Sequence, residues 1–195
     1  MAFRGIPTIA PGPIGRPTGA TNVVTNGGLE TNTTGWAAIG TNTIARSIEQ
    51  AHSGAASLKV TYQDAASPMA AFQPPLVITD DLYTFHYWVY VPAAWDGGQI
   101  RIRNGATIGA FTGSTATDEN YANMALVDQW QRISCVVNPD AGDLSGRLDV
   151  CAASAPTAGR FIYVDDAQVE LGSVATPYIA TDGASASRQP LKWVA

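Results

Sequence analysis

The sequence predicts an all-β fold, a sandwich of short strands, and three observations lead there. Nineteen Gly and twelve Pro punctuate the 195 residues, leaving no long Glu/Lys/Leu-rich stretch to build a helix. Turn signals recur between short apolar segments: Asn26-Gly27-Gly28, Asp96-Gly97-Gly98, Asn104-Gly105 and Pro139-Asp140-Ala141-Gly142. Within the segments apolar and polar side chains alternate, which is the period of a half-buried strand. With 46% apolar and 14% charged residues the chain can pack a core and is not a disordered one.

Residues 1–21 lack periodicity and are rich in Pro and Gly, so they read as an extended arm. Phe3, Ile6, Ile9 and Ile14 make that arm adhesive enough to lie along a neighbouring protein. The sandwich body is expected over 22–172. Its strands begin with 57–62, where Leu58, Val60 and Tyr62 share a face. The clearest strand is 82–91: Tyr83, Phe85, Tyr87, Val89 and Val91 fall on one side, Thr84, His86, Trp88 and Tyr90 on the other. In 99–103 Ile100 and Ile102 point inward and Arg101 and Arg103 outward. Further strands follow at 131–137, 147–153 and 160–171. In the last, the apolar phase of Ile162 and Val164 slips by one residue at Asp165-Asp166 before Ala167, Val169 and Leu171, the mark of a β-bulge. Cys135 takes the core phase with Ile133 and Val137, whereas Cys151 falls opposite Leu148 and Val150, so no disulfide is expected. Residues 173–195 read as a polar tail whose terminal Trp193 needs cover.

The charge balance narrows the function classes. Eleven basic against sixteen acidic side chains, a net charge of −5, argue against gripping phosphate backbones or anionic lipid. No apolar run is long enough to span a bilayer, and the N-terminus has no basic-then-apolar pattern, so neither a membrane partner nor an export signal is expected. Catalysis finds no motif. His52 and His86 are the two histidines, no placed nucleophile accompanies them, and Asp149 and Glu119 are not specified as opposed acids.

Three stretches together carry a resemblance. Val24-Thr25-Asn26-Gly27-Gly28-Leu29-Glu30 with Thr34-Gly35-Trp36, then Ala51-His52-Ser53-Gly54-Ala55-Ala56-Ser57-Leu58-Lys59-Val60, then Phe161-Ile162-Tyr163-Val164-Asp165-Asp166-Ala167-Gln168-Val169-Glu170 resemble, in order and spacing, the jelly-roll carbohydrate-binding modules appended to xylanases and cellulases. The resemblance implies a jelly-roll β-sandwich and buried positions for Trp36 and Trp130. It also implies a structural calcium held by Glu30 and Asp165, the alternative being that both are turn residues without an ion. A second stretch, from Leu171 through Thr176-Pro177-Tyr178-Ile179-Ala180-Thr181 to Ala184 and Arg188, is similar to the segment that follows such jelly rolls in virion proteins of tailed bacteriophages. That likeness implies a virion structural protein, a minor tail protein or capsid decoration protein. It would be homo-oligomeric in the particle and would dock on other virion proteins through Phe3, Ile6, Ile9, Ile14 and Trp193.

The other reading is a module for host-surface polysaccharide. A glycan needs an aromatic platform for its C–H faces and polar groups for its hydroxyls. His86, Trp88 and Tyr90 offer the platform, with Arg101, Arg103 and Asp149 on strands expected beside them. The competing expectation is that the arm, the tail or a neighbouring subunit covers these aromatics. Trp95 and Tyr121 lie in loops, placed for a partner or tucked back on their own sheets.

Overall fold

The alternating segments become strands of two stacked sheets in a computed structural model that describes residues 19–63, 69–77, 81–104, 115–118, 121–138 and 145–189. In chain order the strands are β1 (Thr21–Asn22), β2 (Trp36–Ala38), β3 (Thr43–Ser47), β4 (Ser57–Thr61), β5 (Ala70–Val77), β6 (Tyr83–Tyr90), β7 (Ile100–Asn104), β8 (Thr115–Asp118), β9 (Trp130–Asn138), β10 (Ser145–Ala152), β11 (Phe161–Leu171) and β12 (Ala186–Ser187). No helix occurs among the described residues. One sheet has four strands in the order β2-β5-β10-β7, the other six in the order β3-β4-β11-β6-β9-β8, and β1 pairs with β12. Every one of these pairings is antiparallel. The all-β jelly-roll sandwich expected from the sequence is what the chain forms.

The core lies between the sheets and is built by the alternation. Phe85, Tyr87 and Val89 of β6, Ile162, Val164 and Val169 of β11 and Ile133, Cys135 and Val137 of β9 meet Phe72, Ile100, Ile102, Leu148 and Val150 from the smaller sheet. Each such side chain stabilises the fold by roughly 1.5–3 kcal/mol through loss of apolar contact with water. Trp36 is buried edge-on against Phe72, with ring centroids 5.6 Å apart, and donates its indole N–H to the Asn26 carbonyl at 2.9 Å. Trp95 also tucks back, its indole bonded to the Gly98 carbonyl at 3.0 Å. The Tyr87 hydroxyl crosses the core and donates to the Arg101 carbonyl at 3.0 Å, tying β6 to the opposite sheet. Tyr87→Phe keeps the ring and removes that bond. It is expected to lose about 1 kcal/mol in urea unfolding with an unchanged m-value; an unchanged midpoint would show that the bond contributes nothing.

Two features of the sheets differ from the sequence reading. Strand β5 contains Pro74 and Pro75, which lack the N–H a ladder needs. The ladder accommodates them with a register shift: Gly146 pairs with Leu76 and Leu148 with Phe72, so the Pro-containing stretch is passed over. Residues 173–189, expected as tail, instead lie on the body. Strand β12 pairs with β1, Arg188 donates its amide to the Ala20 carbonyl at 2.8 Å, and Gly183 bonds Thr25 at 2.7 Å. The expected bulge at the acidic pair is present. Pairing of β11 with β6 slips between Asp165 and Gln168, and Asp166 takes a left-handed φ of 50°. Cys135 and Cys151 form no disulfide and are buried, on the core face of β9 and the outer face of β10. Phe3, Ile6, Ile9, Ile14 and Trp193 lie outside the described residues.

Candidate functional site

The six residues expected to share a cleft separate onto two outer faces. His86, Trp88 and Tyr90 belong to β6, whose neighbours are β11 and β9. Arg101 and Arg103 lie on β7 and Asp149 on β10, in the other sheet. The expectation of one combined platform is therefore corrected, because strands close in sequence were assigned as neighbours while the crossovers put the core between them.

On the six-stranded side His86 is fully buried beneath residues 173–181. This strap is held by β11: Gln168 Oε1 accepts the Ile179 amide at 2.7 Å, and Glu170 accepts both the Thr176 amide and its hydroxyl at 2.7 Å. Arg132 adds a bond to the Thr176 carbonyl. The His86 Nε2 lies 3.6 Å from Glu170. Burial, only partly offset by Glu170, holds His86 below its ordinary pKa and keeps the ring neutral. Burial also pushes the Glu170 carboxyl up, but His86 and the Thr176 donors outweigh it and hold it at about 2.

Below the strap the remaining aromatics pack on one another. Trp88 stacks on His52 with centroids 3.7 Å apart; Trp130 meets both His52 and Tyr90 edge-on, and Tyr163 meets Tyr90 and Phe161 edge-on. Angles of 63–75° between the edge-on rings mean that they offer no common plane to a sugar. Lys59 caps Phe161 at 4.0 Å, paired with Glu49, which also accepts the Tyr163 hydroxyl. Trp130 is thus a member of this outer cluster and not of the core, since it shares phase with Arg132 and Ser134.

Glu30 and Asp165 converge on one loop, residues 52–56, from its two ends. Glu30 accepts the Ala55 amide at 3.0 Å, and Asp165 accepts the His52 and Ser53 amides at 2.8 and 3.2 Å and that of Asp166 at 2.7 Å. Asp166, in its strained backbone conformation, binds His52 Nδ1 and the Ser53 hydroxyl, each at 2.6 Å. Burial, then the charge of Asp166, raises the Asp165 carboxyl to about 7. No group of three His, Cys, Asp or Glu side chains placed for a metal occurs among the described residues. Both carboxylates face N–H donors, the polarity opposite to that of a cation. As arranged, these residues act as clamps on the loop.

The four-stranded side is different in kind. One row of cross-strand partners runs Ala37, Ala71, Asp149, Arg103, and the row beside it brings Cys151 opposite Arg101. Two alanines, of which Ala71 is fully buried, form one half of the row, and arginines flank the other. Asp149 is buried between Arg147, at 2.6 and 3.0 Å, and Arg103, at 3.3 Å. Arg147 shares the face because it is two residues from Asp149 on one strand. That i, i+2 signal was readable in the sequence and was passed over. Tyr121, bridged by its backbone to Arg101, is 37% exposed at this edge.

Comparison with known proteins agrees with this architecture. The family described as Carbohydrate binding domain matches residues 21–157. The fold is similar to the CBM22-1 xylan-binding domain of Paenibacillus barcinonensis Xyn10C (17% identity, 80% of this chain and 94% of that one, TM-score 0.55). It is also similar to the C-terminal family 22 carbohydrate binding module of Clostridium thermocellum Xyn10B (16%, 86% and 100%, 0.51) and to Family 16 Carbohydrate Binding Module-2 (17%, 76% and 99%, 0.55). A search of curated proteins gives no match. With its sandwich in place and most of its length matched, the chain belongs to the carbohydrate binding domain family.

Proposed function

We propose that this protein is a polysaccharide-binding module that lays a glycan along the outer face of the four-stranded sheet. The observation that carries the reading is the row Ala37, Ala71, Asp149, Arg103 with Arg101, Arg147 and Tyr121 beside it. Guanidinium groups held in fixed positions donate to hydroxyls, and the tyrosine ring supports a C–H face. The work is binding and not turnover. Family membership supports the polysaccharide class, and the relatives described as xylan-binding make xylan the first neutral glycan to try.

Affinity electrophoresis through polysaccharide-containing gels tests it. Arg103→Ala and Tyr121→Ala are each expected to weaken retention about tenfold, while Trp88→Ala, on the opposite sheet, leaves it unchanged. Retention abolished by Trp88→Ala in a folded chain, with Arg103→Ala unaffected, would move the site to the aromatic cluster. The virion reading rests on the sequence likeness of residues 171–188; incorporation into particles after removal of residues 1–20 is its separate test.

A further inference from the structure

Charge on the proposed binding face distinguishes one class of glycan from another. Elsewhere among the described residues the cations are turned to their own chain. Arg46 donates to the Glu30 carbonyl, Lys59 pairs with Glu49, Arg160 with Asp96, Arg132 with the Thr176 carbonyl and Arg188 with the carbonyls of Pro177 and Tyr178. On the four-stranded face two guanidinium groups, Arg103 and Arg147, share the single carboxylate of Asp149, and Arg101 stands in the next row. Asp149 is fully buried whereas the Arg103 side chain is 34% exposed, so the negative charge lies beneath and the positive charge outermost. Among the described residues of a chain of net charge −5, this face thus sets two guanidinium groups over one buried carboxylate. A neutral glycan needs hydrogen-bond donors and acceptors in comparable number, and arginine supplies donors alone.

We propose that the natural ligand of this face is an anionic polysaccharide, one whose uronate carboxylates are received by Arg103 with Arg101 and Arg147 around it. This deepens the polysaccharide-binding reading and rests on it. A guanidinium fork matches a carboxylate with two parallel N–H···O bonds, a geometry a hydroxyl cannot use in full. Asp149 holds the Arg103 and Arg147 forks from beneath, so the ligand meets positioned donors.

The test compares the full chain on three soluble polymers: polygalacturonate, the same backbone with its carboxyls methyl-esterified, and neutral arabinoxylan. Expected is retention on polygalacturonate at least about tenfold stronger than on the other two, consistent with charge-assisted bidentate pairing. It should weaken steeply as NaCl rises from about 20 to about 500 mM. Arg103→Ala should remove most of that preference, and Arg103→Lys, which keeps charge but not the fork, should restore only part of it. Circular dichroism of the variants separates lost binding from lost fold. Equal, salt-insensitive retention on esterified and neutral polymers would overturn the anionic assignment while leaving the polysaccharide-binding reading standing. No retention on any of the three would bring down both. Strong binding to polygalacturonate that survives Arg103→Ala and Arg101→Ala together would also refute the assignment, since the charge would then be read elsewhere.

Discussion

Gly27→Ala is expected to cost the fold about 3 kcal/mol or more, the range reached when overpacking cannot relax. The turn Asn26-Gly27-Gly28 looks like one that uses glycine for flexibility, but the constraint at Gly27 is proximity. A Cβ there would sit 2.1 Å from the Ala167 carbonyl oxygen. Neither backbone is free to retreat: the Gly27 carbonyl accepts the Ala167 amide at 3.0 Å, and the Gly27 amide donates to the Thr181 hydroxyl at 2.9 Å. Ala167 itself lies in the bulge of β11, where its pairing with β6 slips between Asp165 and Gln168. The same mutation thus disturbs the opening turn, the closing strand and the strap. Gly28→Ala is the internal comparison. Its Cβ would meet the Tyr178 hydroxyl at 3.0 Å, the far end of a side chain that can shift, so less than about 1 kcal/mol is expected. Urea midpoints that coincide for the two variants would refute the close-approach account.

Stability is expected to depend on pH in two opposed limbs. Asp165 has its folded pKa raised from 3.8 to about 7. In that interval the folded state binds more protons than the unfolded, so its contribution is complete below about pH 4 and is lost as pH rises through 7. The size is on the order of 4 kcal/mol at about 1.4 kcal/mol per pH unit. Glu170 runs the other way. Its folded pKa, lowered from 4.5 to about 2, gives stability that is present above 4.5 and lost on acidification, on the order of 3 kcal/mol by the same conversion. Buried neutral His86 adds to the acid limb, since its lowered pKa makes protonation below its ordinary 6.5 favour unfolding. The limbs are separable by substitution. The difference between wild type and Asp165→Asn should vary between pH 4 and 7 and be flat below, while the difference for Glu170→Gln should vary only below about pH 4.5. A wild-type chain as stable at pH 8 as at pH 6, with no change of slope in Asp165→Asn, would refute the assignment to Asp165.

Much of the sandwich was legible residue by residue. The alternation in Tyr83, Phe85, Tyr87 and Val89 assigned those side chains to the core, and the slip at Asp165-Asp166 marked the bulge, because both depend on the two-residue period of one strand. The expected candidate site was legible only in part. Arg101, Arg103 and Asp149 do share a face, and Arg147 joins them. His86, Trp88 and Tyr90 share another; cover by the tail was among the alternatives the sequence offered, but which of its residues would supply it was not legible, because Thr176 and Ile179, held by β11, belong to a segment lacking periodicity of its own. Strand β5 was missed for a related reason. Pro74 and Pro75 argue locally against a ladder, and only the register of β10 reveals how they are passed over.

The sequence by itself determined which side of each strand faces oil and which faces water, because that choice is made by neighbouring residues along one extended chain. Which strands then lie side by side was decided by tertiary structure alone: antiparallel hydrogen bonding between strands is carried by backbone groups that every residue shares, so it leaves little mark on residue identity. That is why the arginines and the aromatics, both correctly turned outward, came to rest on opposite sheets.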